Sequence, residues 1–433
     1  MHKKLSFSLS LLAVFCSAQA HAGGLALYGG SIDNAALSNA GVAARAQGAD
    51  TISGNIAGLT YVKGTQVNAG AAVLWGEIKP DLQDANQTGG NGSNALNPVL
   101  APMGYISHQL DDQWTIGFGS YGDFGDELDY DNDWAGRYFI QNAKLVGASL
   151  VPSVAYRFND QWSFGLGLRA MYGMVDLQLA QSNAKPPFCT GAGPNANCPG
   201  PDGKVKYDDE EWGYGANAGI IYSPQEGTRI GLAYTSKVDL DFNGDLKVDG
   251  IGGGRVIPRQ DLETGLDADV TVPQTATVSL FHQLDTQWAV LASANWQDHS
   301  EFSTIGIKID SLGVDQDADL HWKDTYHGSL GLQYQATPQW LWNAGVGYDS
   351  AAVDSNHRIW SLPATDTTRA SVGTVVALDE STSVHVAYML TWLGNVNVSE
   401  ERHATAVTTE KVAEGKLQDA YVQYLGAGMT IRF

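Results

Sequence analysis

The feature that most constrains this chain is a period of two that persists to its last residue. In LGAGMTIRF, Leu425, Ala427, Met429, Ile431 and Phe433 share one face of an extended strand, and Gly426, Gly428, Thr430 and Arg432 the other. Successive side chains of a strand point to opposite sides, so such a strand has one apolar face and one small or polar face. WSFGLGLRAMYGM divides in the same way: Trp162, Phe164, Leu166, Leu168, Ala170, Tyr172 and Met174 oppose Ser163, Gly165, Gly167, Arg169 and Gly173. EWGYGANAGIIY, WLWNAGVGY and VHVAYML repeat the division.

A soluble sandwich would turn the apolar faces to a shared core and would not gather aromatic rings at strand ends. Here a polar turn followed by Gln and Trp recurs four times: QLDDQW, RFNDQW, QLDTQW and QATPQW, ending at Trp114, Trp162, Trp288 and Trp340. Tryptophan at strand ends is what a membrane–water interface selects. Tight polar turns also take turns with long Gly-rich or acidic stretches such as 183–208 and 249–270. Short turns on one side and long loops on the other belong to an outer-membrane barrel, as does a closing strand that ends in phenylalanine. From Gly64 onward the count is about 14 strands, joined by six short turns and seven longer loops. The expected fold is all-β, a 14-stranded antiparallel transmembrane β-barrel spanning residues 63–433.

The start of the chain reads differently. MHKKLSFSLSLLAVFCSAQAHA has a basic start, an apolar run and small residues at Ala20 and Ala22, so residues 1–22 are expected to be a secretory signal peptide. No later stretch approaches the roughly 20 apolar residues of a membrane helix. Residues 23–62, rich in Ala and Gly, suit a short helix and compact coil inside the lumen, a hatch or plug whose backbone groups find partners there rather than in lipid. A lumen of about 14 strands would leak without one. With 25 basic against 47 acidic residues the net charge is −22, which excludes a nucleic-acid partner. Cys189 and Cys198, in CTGAGPNANC, are expected to staple one loop by a disulfide in an oxidising compartment, since no other soft ligands for a metal cluster nearby.

Several blocks carry a family resemblance: NDQWSFGLGLRAMYG, EWGYGANAGIIYSPQEGTRIGLAYTSKVDLDFNGDL, TQWAVLASANWQDHSEF and WKDTYHGSLGLQYQATPQWLWNAGVGYD. The chain resembles, nearly end to end, the FadL family of outer-membrane long-chain fatty acid transporters. The resemblance implies a monomeric barrel in the bacterial outer membrane, among outer-membrane lipid and lipopolysaccharide. It implies ligand capture by outer loops, with Phe188 among their apolar residues, transfer to a pocket beside the hatch, and sideways release at a kinked third strand. That strand is WTIGFGSYGDFGDEL, and the kink aligns with Tyr121, Gly122 and Asp123, followed by Phe124 and Gly125. Glycines there mark a bend or make room for neighbouring aromatics. The family's hatch motif Asn-Pro-Ala reads Asn55, Ile56, Ala57 in this chain, so the fixed φ of proline is lost. Of two cations that meet a fatty acid carboxylate, the lysine of WKD is kept as Lys323. The arginine of the fifth strand is replaced by Leu179, with Arg169 either a substitute or the partner of a lumen acid. With one cation fewer, an acid head group should bind less well and an aromatic or alkane hydrocarbon becomes the alternative cargo.

Other constellations lead elsewhere. His385 has no serine or acid placed beside it by the sequence, so no hydrolase is expected, and His282, His299, His321 and His327 are read as rim residues without metal spacing. DGIGGGR lacks the end of a phosphate loop. DYDND from Asp129 and DQDAD from Asp315 lack the glycine and distal glutamate of a calcium loop, and are solvated loops or divalent bridges to lipopolysaccharide. No cofactor is expected. An open aqueous porin is argued against by the long N-terminal hatch, and a 22-stranded receptor by chain length.

Overall fold

A computed structural model describes residues 30–85, 87–181, 202–251, 260–309, 314–402 and 411–433. Fourteen strands form a closed antiparallel circuit: β1 (Thr65–Glu77), β2 (Val99–Gln109), β3 (Trp114–Asp129), β4 (Asn142–Arg157), β5 (Trp162–Gln181), β6 (Gly203–Gln225), β7 (Thr228–Thr235), β8 (Thr275–Gln283), β9 (Trp288–Gln297), β10 (Thr325–Thr337), β11 (Trp340–Asp349), β12 (Thr367–Ala377), β13 (Thr382–Arg402) and β14 (Lys411–Arg432). β14 closes on β1 from Gln66↔Arg432 to Glu77↔Tyr421. Closure removes the free edges that lipid could not hydrate.

The two faces fall as the alternation requires. Leu166, Leu168, Tyr214 and Leu330 point outward and are 63–74% exposed, whereas Ser163, Arg169 and Thr430 point inward and are buried. At the short turns the recurring motif is a side-chain cap. Asp111 Oδ1 accepts from the amides of Gln113 and Trp114 at 2.8 and 2.7 Å, Asn159 does the same for Gln161 and Trp162, and Asp285 for Gln287 and Trp288. Aspartate and asparagine favour turns through this local bond. Each tryptophan then packs on a tyrosine of the next strand: Trp114 on Tyr156, Trp162 on Tyr222 and Trp288 on Tyr334, with ring centres 4.3–4.6 Å apart. The fourth copy has Thr337 in place of the acid, and there the ladder slips between Gln335 and Thr337 instead.

On the opposite side the wall continues past the bilayer. β5 and β6 run 20 and 23 residues, about twice what a tilted crossing needs. Part of what reads as loop is strand. β6 begins at Gly203, and Val238–Ile251 and Gln260–Val272 pair with each other and extend the β6 ladder. DQDAD lies in the strand Val314–Asp319, paired with Thr304–Ile309. Polar sequence misleads here because one face of this extension meets water while the inner face still needs Leu240, Phe242 and Leu266.

Residues 30–62 lie inside the ring, folded as helix α1 (Ile32–Ala35) and two 3-10 turns, Ala49–Ser53 and Ile56–Tyr61. The wall makes room with inward glycines. A β-carbon at Gly231 would lie 1.8 Å from the Ala43 carbonyl oxygen, and one at Gly219 would lie 1.9 Å from Asn55 Oδ1. Wall hydroxyls satisfy the segment's backbone donors: Gly41 N–H donates to Ser293 Oγ at 2.9 Å and Ala43 N–H to Ser279 Oγ at 3.1 Å. Non-helical backbone at membrane depth is tolerated under such conditions. Its charges are paired too. Arg45 bridges Asp33 and Asp50 at 3.3 and 2.6 Å, and His385 of β13 takes Asp33 at 2.9 Å on one ring nitrogen and Thr430 of β14 at 2.8 Å on the other.

Candidate functional site at the third strand

β3 departs from regular pairing at one place. Gly122 faces Ala148 of β4, and the next pair is Phe124 with Gly147, so Asp123 is an extra residue, a β-bulge. The bulge reverses parity. Tyr121 and Asp123 point inward before it and Phe124 and Leu128 after it, so two consecutive side chains enter the lumen. Phe124 fits because Gly147 opposite has no side chain; a β-carbon there would lie 2.3 Å from its ring.

On its other side β3 loses its neighbour. β2 pairs with β3 only from Gly104↔Ser120 downward, while Val99–Met103 stay with β1 and Tyr121–Asp129 stay with β4. Above, the strands meet again through the Leu96–Leu128 bridge and Asp129 N–H donating to Ala95 O at 2.8 Å. The result is a window in the ladder. Its lower sill is a stacked pair, Tyr105 and Tyr121, with ring centres 5.8 Å apart, and the Tyr105 hydroxyl donates to the carbonyl of Gly30.

Behind the window lies a cavity of about 200 Å³. Its floor is formed by Asn34, Asn39, Ser53 and Gly54, its near wall by Tyr121–Phe124, and its far wall by Thr277, Asn295 and His299. The lining holds one carboxylate, Asp123, and one guanidinium, Arg169 of β5, and they are joined at 2.5 Å. Ser149 of β4 completes the group, donating to Asp123 and accepting from Arg169 Nε at 2.9 Å. Beyond the cavity, toward the long-loop side, the interior is apolar, a cluster including Phe124, Leu128, Trp134, Leu179, Tyr207, Trp322 and Trp360.

Of the residues that sequence reading singled out, the window brings together Tyr121, Gly122, Asp123, Phe124, Gly125 and Arg169. Arg169 is the partner of a lumen acid. Leu179 is 1% exposed in the apolar cluster. Lys323 is an exposed residue whose Nζ sits 2.5 Å from Asp354 Oδ1; the ammonium's hydrogen bond holds the Asp354 carboxyl below its usual range. Asn55 is a hub. Its Nδ2 lies 2.7 Å from Ala43 O, 3.1 Å from Ile220 O and 3.2 Å from Leu232 O, and its Oδ1 accepts from Ala57 N–H at 3.0 Å. Ile56 is buried and its Cδ1 fills the space over Gly167. The chain at this point is held by the Asn55 cap and the packing of Ile56.

Two histidines read as rim residues are instead buried: His299 bonds Thr325 at 2.9 Å, and His327 sits 3.0 Å from Asp349, which also holds Arg369 at 2.6 Å. His327 shares the inward parity of Thr325, Ser329 and Gln333 on β10. Among the described residues no group of His, Cys, Asp and Glu could hold a metal ion. Phe188, Cys189 and Cys198 lie outside the described residues, as does the signal peptide boundary. The Asp123–Arg169 pair was not foreseen. The sequence carried no mark of it: Trp114, Ile116, Phe118, Phe124 and Leu128 share one parity, so plain alternation would turn Phe124 outward, and only the register shows the switch.

Comparison with known proteins agrees with this fold. The family described as outer membrane protein transport protein (OMPP1/FadL/TodX) matches residues 13–433. The chain is 27% identical to the long-chain fatty acid transport protein of Escherichia coli O6:H1, covering 96% of this chain and 97% of that protein. It is 28% identical to outer membrane protein P1 of Haemophilus influenzae, over 89% and 90% of the two chains. Its fold is similar to the crystal structure of a Pseudomonas aeruginosa FadL homologue, with a TM-score of 0.81 at 18% identity over 96% and 100% of the chains. It is also similar to the Pseudomonas putida toluene transporter TodX, with a TM-score of 0.68 at 16% identity over 96% and 100%.

Proposed function

Because the chain belongs to the outer membrane protein transport family, OMPP1/FadL/TodX, we propose that it takes up hydrophobic molecules passively and releases them sideways through the β2–β3 window. It is a transport protein of the outer membrane rather than an enzyme. The physical need is plain: a lipopolysaccharide leaflet is a poor solvent for apolar molecules, so a protein path must carry them past it. Outer loops, Phe188 among them, capture the ligand; the apolar interior around Leu179 receives it; and residues 30–62 act as a hatch that closes the aqueous route to the periplasmic side. The chain works as a monomer, and the wall above the bilayer stands among lipopolysaccharide.

The single observation that carries this reading is the gap between β2 and β3, whose ladder ends at Gly104↔Ser120 next to the bulge at Asp123 and the cavity. Long-chain fatty acids and related amphiphiles are the proposed cargo. The burial of Leu179 in an apolar cluster favours the second reading, aromatic or alkane hydrocarbons. The test is uptake of a fluorescent long-chain fatty acid by cells that depend on this protein, with tryptophan placed at Gly122 and Gly125. Uptake should fall to background while the barrel remains folded, shown by unchanged mobility of the unheated protein in gels. Normal uptake would remove lateral exit from the mechanism.

A further inference from the structure

We infer that Asp123 is a selectivity element: its carboxylate occupies the guanidinium of Arg169, so the exit cavity favours uncharged ligands over carboxylates. The inference rests on the transport reading and names the ligand class for the same route.

Three observations support it. Asp123 lies at the bulge beside the window, with its side chain turned into the cavity bordered by Tyr121–Phe124. It takes both the charge of Arg169, at 2.5 Å, and the hydroxyl of Ser149, so the lining's one guanidinium is already matched by one carboxylate of the chain itself. A second carboxylate entering there meets repulsion from Asp123 and would have to displace it from a charge-assisted bond, the stronger kind of hydrogen bond. Outside the cavity, Lys323 is held in the same way by Asp354, so both cations named for an acid head group have a carboxylate of the chain as partner.

The experiment measures binding of oleate and of oleyl alcohol, equal in chain length, to the full-length protein in detergent at neutral pH. The variants are Asp123→Asn and the double variant Asp123→Asn with Arg169→Gln. The wild type should bind the alcohol at least as tightly as the acid. Asp123→Asn should raise the oleate-to-alcohol affinity ratio by about tenfold or more, the scale of one hydrogen bond to a charged group. The double variant should return the ratio to the wild-type value. An unchanged ratio in Asp123→Asn overturns the inference. So does a wild type that prefers oleate by tenfold, which needs no variant to fold. Absence of binding by either ligand would sink the transport reading itself, a different result.

Discussion

At the scale of single residues, the lumen is organised by what is missing as much as by what is present. Gly219 and Gly231 stand where residues 30–62 touch the wall, and their faces were legible in the sequence as the small side of an alternating strand. What they make room for was not legible, because nothing in β6 or β7 names Asn55 or Ala43 as the neighbour. Valine at Gly231 suits a strand by propensity, yet its β-carbon would overlap the Ala43 carbonyl by a margin no rotamer relieves. The cost should exceed the roughly 1–3 kcal/mol of ordinary overpacking and fall on the seated segment rather than on the ladder. Gly231→Val is therefore expected to fold as a barrel but to conduct ions in planar bilayers at a level well above the wild type. A wild-type conductance would show that residues 30–62 are not seated by this contact.

At the scale of elements, turn chemistry and strand parity were open to inspection in the sequence. Asp111, Asn159 and Asp285 each cap the turn that precedes a tryptophan, and the spacing alone suggested a hairpin at each. The window was only half legible. Gly122 and Gly125 mark a bend, but a bend becomes an opening only when β2 stays with β1 instead of following β3. The parity break makes a deletion informative. Removing Asp123 would put Tyr121, Phe124 and Leu128 on one regular alternation and take away the extra residue. Such a deletion should let β3 pair continuously and reduce uptake several-fold with the barrel intact. Asp123→Asn, which keeps the bulge, should keep the window. Undiminished uptake in the deletion variant would mean that the bulge is not the exit.

At the scale of the whole molecule, closure decides the rest. Among the described residues the fourteen-stranded circuit returns to β1, with its ladder interrupted at the window, and the outward face is apolar. The proposed monomer needs no second chain to close its sheet. Native mass spectrometry from detergent should release a single chain, with or without bound amphiphile; a persistent dimer would contradict this.

The sequence by itself determined the strand alternation, the capped turns, the even strand count and an acidic surface, because each depends on residues adjacent in the chain or on composition. Only the tertiary structure decided which charges meet. Arg169 lies 46 residues from Asp123, and Lys323 lies 31 from Asp354. Those pairs depend on register around a closed circuit, on the one-residue slip at the bulge and on the loops above it. The ligand class turns on the same facts: a cation on the lumen wall recognises an acid only when no carboxylate of the chain already holds it.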